Sequence, residues 1–218
     1  FLMERFITGG LCVRGEAQER NGYLEFTNPR IKKSDYSPGL SVLSFDIETD
    51  GFDGDLLSIS CAGAGGDRVW MRGEGAELAE TEFADPELEY LDYVPSERAL
   101  LEAFVAHIKA VDPDVLTGWN VVDFDLTTLE RKCEEQNVAF VIGRDSERAK
   151  VLQPRSAQQP AIPRVSGRVV LDGIATLRGA TFSFESFRLQ DVAEALLSRG
   201  KKIDHTADPV EEIRRLFA

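Results

Sequence analysis

The run Ser41-Val42-Leu43-Ser44-Phe45-Asp46-Ile47-Glu48-Thr49 constrains this chain more than any other stretch. Residues 41–45 are mostly apolar and β-prone, which predicts a strand with a buried face. Side chains alternate along a strand, so Asp46 and Glu48 leave it on the same side, their Cβ atoms roughly 7 Å apart. Two like charges at the end of a buried strand are costly unless a positive group lies between them. A divalent cation held by oxygen ligands is the natural candidate. Alone, a D-x-E triplet is a weak signal in an acidic chain.

A second signal raises it. Gly118-Trp119-Asn120-Val121-Val122-Asp123-Phe124-Asp125 follows the apolar pair Val115-Leu116 and precedes a helical stretch from Leu126 to Gln136. Around these two motifs the pattern predicts a mixed sheet with helices. Strands are expected at 41–49, 56–62 and 68–71, joined by short links as an antiparallel meander. An acidic connection, 74–92, leads to a helix that Ser96 caps and that runs through Ala110. Leu100, Leu101, Phe104, Val105 and Ile108 give that helix one apolar face. A strand at 115–119, the helix from Leu126 and a strand at 168–171 follow. Asp172 then reads as the cap or turn residue before a short helix through Leu177.

Ahead of this region, residues 1–35 suggest a short helix over Leu2–Ile7 and strands at 11–14 and 23–27. The polar turn 18–22 with its Asn-Gly pair separates those strands, and 32–39 reads as a linker. The segment 141–167 holds Pro154, Pro160 and Pro163, too irregular for a helix. A hairpin with arms 149–152 and 161–165 suits it. Asp208-Pro209 opens a last helix, with Glu211 and Glu212 near its start and Arg214 and Arg215 further on. No stop signal precedes Ala218, so the helix is expected to be cut there.

The net charge is −13, which taken alone disfavours nucleic acid. Between Val141 and Arg168, however, six basic residues stand against two acidic ones, a local +4 that leaves −17 elsewhere. That segment suits phosphates at the rim of a metal site; the plain alternative is a solvated loop. Cys12, Cys61 and Cys133 fit reduced cysteines, since their odd number and irregular spacing argue against a zinc site or disulfide framework. No apolar run nears the ~20 residues that span a bilayer, and no signal-peptide pattern is present, so no membrane partner is expected.

Taken together, D-x-E after a strand and G-x-N-x-x-x-F-D at a strand-to-helix junction resemble the first two motifs of the proofreading 3′→5′ exonuclease of family B DNA polymerases. The stretches 2–8, 143–145, 167–174 and 187–193 resemble bacterial members of that family. The resemblance implies an α/β, ribonuclease H-like fold, a mixed sheet flanked by helices of the DEDD exonuclease type, here C-terminally truncated. It implies that residues 1–39 are the end of the polymerase's N-terminal domain plus linker, and 40–218 the exonuclease domain. The implied reaction removes a mispaired 3′-terminal nucleotide by hydrolysis with two divalent cations, Mg²⁺ or Mn²⁺.

In that scheme Asp46 is the ligand shared by both metals, Glu48 a ligand of the metal that activates water, and Asp125 the third carboxylate. The motif ends in Phe-Asp, so the role falls to Asp125, and Asp123 is left solvated. Asn120 and Phe124 line the substrate cleft, although a core role for Phe124 fits equally. Thr49 contacts the terminal nucleotide through its backbone. Trp119 is expected in the core; His107 and His205 occupy no motif position. The implied partners are the single-stranded 3′ end of primer DNA and the rest of the polymerase chain, in the cytoplasm of a bacterium and associated with its nucleoid.

The chain departs from the family in one respect. A Tyr-x-x-x-Asp motif should supply a fourth carboxylate and a tyrosine, yet Tyr23, Tyr36, Tyr90 and Tyr93 all precede Asp125. The expectation is that this motif lies beyond Ala218, leaving weak metal binding and little nuclease activity. Two alternatives stand beside this reading. One is a catalytically degenerate nuclease domain kept as a scaffold or template contact; the other is an unrelated metal-dependent transferase using D-x-E.

Overall fold

The structure, a computed structural model, describes residues 2–20, 23–51, 53–73, 89–154, 156 and 159–198. The chain divides into two units, Phe1–Ser41 and Val42–Ala218. His205 and the helix expected from 208 lie outside the described residues.

In the first unit a single 3₁₀ turn, Met3–Arg5, stands where a short helix was expected. It closes on Phe6 in the left-handed conformation, at φ 53°. So few residues cannot repay helix nucleation. Four strands follow: β1 (Leu11–Arg14), β2 (Ala17–Arg20), β3 (Tyr23–Phe26) and β4 (Arg30–Lys33). β2 pairs antiparallel with β3, Arg20 opposite Tyr23, and β1 pairs antiparallel with β4, Leu11 opposite Lys33. The polar residues 17–20 therefore form a strand rather than a turn, and 30–33 a strand where the linker was expected to begin. The physical reason is cross-strand pairing, in which a partner strand supplies the hydrogen bonds and side-chain contacts whatever the polarity of the segment. An exposed ribbon tolerates Gln18, Glu19 and Arg20, and Arg20 bonds Glu25 across it at 2.9 Å.

The second unit is built on a six-stranded mixed sheet. Its strands are β5 (Val42–Thr49), β6 (Leu56–Gly63), β7 (Arg68–Arg72), β8 (Leu91–Val94), β9 (Val115–Gly118) and β12 (Val169–Asp172). In space the order is β12-β9-β5-β6-β7-β8. β5, β6 and β7 form the antiparallel meander expected, while β9 lies parallel to both β5 and β12. β8 runs parallel to β7, Val69 opposite Leu91, at the end of the stretch read as an acidic connection. Its run Leu-Asp-Tyr-Val is short and half polar, as suits an edge strand.

The helices α1 (Glu97–Val111) and α2 (Thr127–Glu135) supply the rest of the core. Ser96 caps α1, its hydroxyl accepting from the N–H of Ala99 at 3.2 Å. Leu100, Leu101, Phe104 and Ile108 are fully buried with Leu43, Ile59 and Leu116 of the sheet, and the Phe45 and Phe104 rings lie 5.2 Å apart. Glu97, also buried, accepts from Leu56 N–H (2.7 Å) and Gln136 Nε2 (2.7 Å) and pairs with Lys132 Nζ at 3.0 Å. Among the described residues no helix is long and apolar enough to cross a membrane.

A two-stranded hairpin, β10 (Lys150–Leu152) with β11 (Ile162–Arg164), stands where one was expected. Two of the basic residues around it serve the fold, while Arg148, Lys150 and Arg164 line an open cleft. Arg144 grips Asp112 (2.8 Å) and Asp114 (2.9 Å), and Arg168, its side chain 2% exposed, bonds Asp112 (2.8 Å), Ile142 O (2.7 Å) and the carbonyl of Pro113. These arginines clamp the turn that carries the chain from α1 into β9. Two short helices complete the described chain, α3 (Gly173–Gly179) and α4 (Leu189–Leu197).

Candidate active site

β5 alternates in burial as its sequence predicts. Leu43, Phe45 and Ile47 enter the core, and Asp46 and Glu48 leave the opposite face exposed. A register shift between Glu48 and Thr49 marks the strand's end: Glu48 faces Ser58 and Thr49 faces Leu56, so the extra residue is Leu57 of β6. Thr49 is buried, and its hydroxyl donates to the carbonyl of Gly51 at 2.7 Å. That bond spends the side chain on the turn.

Asp125 arrives from the other motif. β9 ends at Gly118, pressed so close to β5 that a Cβ there would lie 2.6 Å from the Phe45 carbonyl oxygen. Asn120 then takes the left-handed conformation, φ 58°, which asparagine tolerates better than most residues. Residues Val122–Leu126 form one π-helical turn, with Leu126 N–H donating to Val121 O at 2.8 Å. Single π turns are frequent at functional sites. This one leaves Asp123 exposed and Asp125 1% exposed, and ends with Leu126 in the core as α2 begins.

Pairing of β5 with β9 stops at Ser44 and Thr117; beyond it the N–H of Ile47 donates to Asp125 Oδ1 at 3.1 Å. The second motif is thus pinned between the two residues of the first. The Asp125 carboxyl is pushed up to about 8 by its burial and by the nearby Asp46 carboxylate; Asp172 adds to this, and the Ile47 bond partly offsets it. A carboxyl that resists ionisation beside other carboxylates is a place where a cation would be welcome.

The donors fit a hard divalent cation in kind, all being carboxylate oxygens. In number they fall short: among the described residues no three of His, Cys, Asp or Glu stand close enough to hold a metal ion. Asp46 and Asp125 are brought within electrostatic reach, and Glu48 shares the face of Asp46.

The other residues singled out in the sequence are spread around this centre. Asn120 and the exposed Asp123 line a cleft of about 490 Å³ with Pro160, Ala161, Asp172 and Arg178, and Asp172, whose charge reaches Asp125, links it to the carboxylates. Phe124 is half-buried against the core. Trp119, expected in the core, is half-buried and donates from Nε1 to Phe187 O at 3.1 Å. Asp172 caps α3 as expected, Oδ1 accepting from Ala175 N–H at 3.0 Å. Its Oδ2 also accepts from Val122 N–H at 3.2 Å, a tie between the motif and α3 with no signature in the sequence. His107 lies against Trp70, ring centroids 5.1 Å apart, away from the carboxylates' motifs. Cys61 and Cys133 are buried with thiols pushed up to about 12, and all three cysteines are free.

A family model described as "DNA polymerase family B, exonuclease domain" matches residues 22–192. DNA polymerase II of Escherichia coli (strain K12) is 38% identical over 220 residues; the alignment takes in 100% of this chain but 27% of the relative, so the chain spans about a quarter of that protein's length. A DNA polymerase of Thermococcus kodakarensis is 31% identical over 169 residues, covering 75% of this chain and 9% of that one. A DNA polymerase of Thermococcus sp. (strain 9oN-7) is 29% identical over 75% of this chain and 20% of its own length.

Proposed function

This chain belongs to the exonuclease-domain family of the family B DNA polymerases, and from that premise we propose that it removes mispaired 3′-terminal nucleotides from primer DNA within a longer polymerase. Exonuclease domains of this family use divalent metal ions, and here the metals would be two Mg²⁺ or Mn²⁺. Asp46 would touch both, Glu48 the one beside the attacking water, and Asp125 the second. When bound, such ions activate water and stabilise the charge on attacking and leaving oxygens.

The chain's own residues do the rest. Ile47 N–H holds Asp125 in place, and Asn120 and Phe124 receive the last nucleotide of a single strand, with the Thr49 backbone alongside. Residues 1–39 would be the end of an adjoining polymerase domain plus linker, and 40–218 the nuclease. The remaining polymerase chain would be its partner, in the bacterial cytoplasm near the nucleoid.

The observation that carries this reading is Asp125, buried and hydrogen-bonded to the strand residue between Asp46 and Glu48, with acids for neighbours. No tyrosine follows Asp125 in the sequence, so the Tyr-x-x-x-Asp contribution is missing from these residues and nuclease activity should be weak. Primer digestion by the chain in Mn²⁺, compared with Asp46→Ala, tests this. Slow digestion by the native chain and none by the variant is expected. Equal digestion by both would remove Asp46 from the site, and robust Mg²⁺-dependent digestion would show the site complete without the tyrosine.

A further inference from the structure

The cleft lined by Asn120 and by Asp172, whose charge reaches Asp125, has a cation in its wall. Among the described residues lining it, Arg178 alone is basic, facing a space shared with Asn120, Asp123 and Asp172. A strand carrying one phosphate per nucleotide meets repulsion there from every carboxylate that is not neutralised. Arg178 is held where it can offset that repulsion, by contacts that begin at the second motif.

Trp119 donates to the carbonyl of Phe187 at 3.1 Å, and the Phe187 ring lies under the Arg178 guanidinium, 4.6 Å from its centroid. Phe184 stands edge-on to Phe187 at 5.5 Å and fixes that ring. From the other side, Asp172 ties the start of α3 to Val122, and Gly173 lets the Trp119 ring approach. A Cβ at Gly173 would lie 2.8 Å from Trp119 Cε3. The helix bearing Arg178 and the ring beneath it are both registered on Trp119, whose chain neighbour is Asn120.

Arg178 forms no ion pair and donates no side-chain hydrogen bond to any described residue, although Asp123 and Asp172 share its cleft. An aromatic ring occupies one face of the guanidinium and leaves its edge donors for a planar anion. We propose that Arg178 receives a backbone phosphate of the strand whose 3′ end enters the carboxylate site, with Trp119 as a positioning residue. This rests on the reading of Asp46, Glu48 and Asp125 given above.

Anisotropy of a labelled oligothymidylate with a hydrolysis-resistant terminal phosphorothioate, titrated in Ca²⁺ across a salt series, tests the assignment. Arg178→Met should weaken binding about tenfold at low salt. It should also lower the slope of log affinity against log salt by about 0.7, the share of one phosphate on a single strand. Arg178→Lys should recover the slope and only part of the affinity, since it keeps the charge and loses the fork. Thermal melting of Arg178→Met should match the native chain, because the side chain is exposed. Native affinity and slope in Arg178→Met would overturn the proposal, as would a native chain that fails to bind the oligomer at low salt. Failure of the carboxylate reading looks different: Asp46→Ala would digest primer like the native chain, while the salt slope still decides Arg178.

Discussion

Two carboxylates are buried in the same domain and live in opposite surroundings. Glu97 accepts from a backbone N–H, a glutamine and a lysine, and Lys132 stands 3.0 Å from it. Burial works against the Lys132 ammonium, but the bonds to Glu97 and Glu135 outweigh that and hold its pKa above the usual lysine value. Asp125 accepts from Ile47 N–H, and the charges that move its pKa are those of Asp46 and Asp172, both negative. One acid closes a circuit inside the fold. The other has acids for its charged neighbours and resists ionisation, a pattern found at functional sites.

The largest effect should come from breaking the satisfied circuit. Lys132→Met strands Glu97 in the core and should cost about 3–5 kcal/mol in urea unfolding. Adding Glu97→Leu should recover part of that loss, since the unpaired charge goes too, though Leu56 N–H then lacks its acceptor. A double variant worse than Lys132→Met would contradict the pairing.

Next comes the unsatisfied acid. Its folded pKa, about 8, lies above the unfolded carboxyl value of 3.8. The contribution of Asp125 to stability is therefore fully present below the unfolded value and is lost as pH rises through about 8. In chelator, Asp125→Asn should flatten that decline and melt higher than the native chain above pH 8, by about 1–3 kcal/mol. A native chain with no such decline would place Asp125 in a kinder environment than the structure shows.

The smallest effect calibrates both. Arg98 and Glu102 form an exposed i,i+4 pair at 2.8 Å, and Arg98→Ala should cost no more than about 0.5 kcal/mol. A larger loss would mean that ion pairs in this domain cannot be ranked by burial.

Much of the site was legible along the chain because strand alternation is local. The period of two put Asp46 and Glu48 on one face and Ile47 in the core, as the structure has them. Ser96 and Asp172 were readable as caps for the same reason, since a cap bonds three residues ahead. Less legible were Ala17–Arg20 and Leu91–Val94, polar or mixed segments that became strands through pairing partners the pattern did not name.

By itself, then, the sequence determined which faces of β5 and α1 are apolar, where the motifs fall between elements, and the family to which the chain belongs. The motif already chose Asp125 over a solvated Asp123, but tertiary structure alone decided that Asp125 is buried, because a π turn sets its phase. It alone gave Glu97 its lysine and turned Arg144 and Arg168 into clamps on Asp112. The physical reason is separation. Periodicity and caps report on neighbours within a turn, whereas Asp125 meets Ile47 across 78 residues and Gln136 meets Glu97 across 39. Charges become partners or rivals only once the sheet has brought them together.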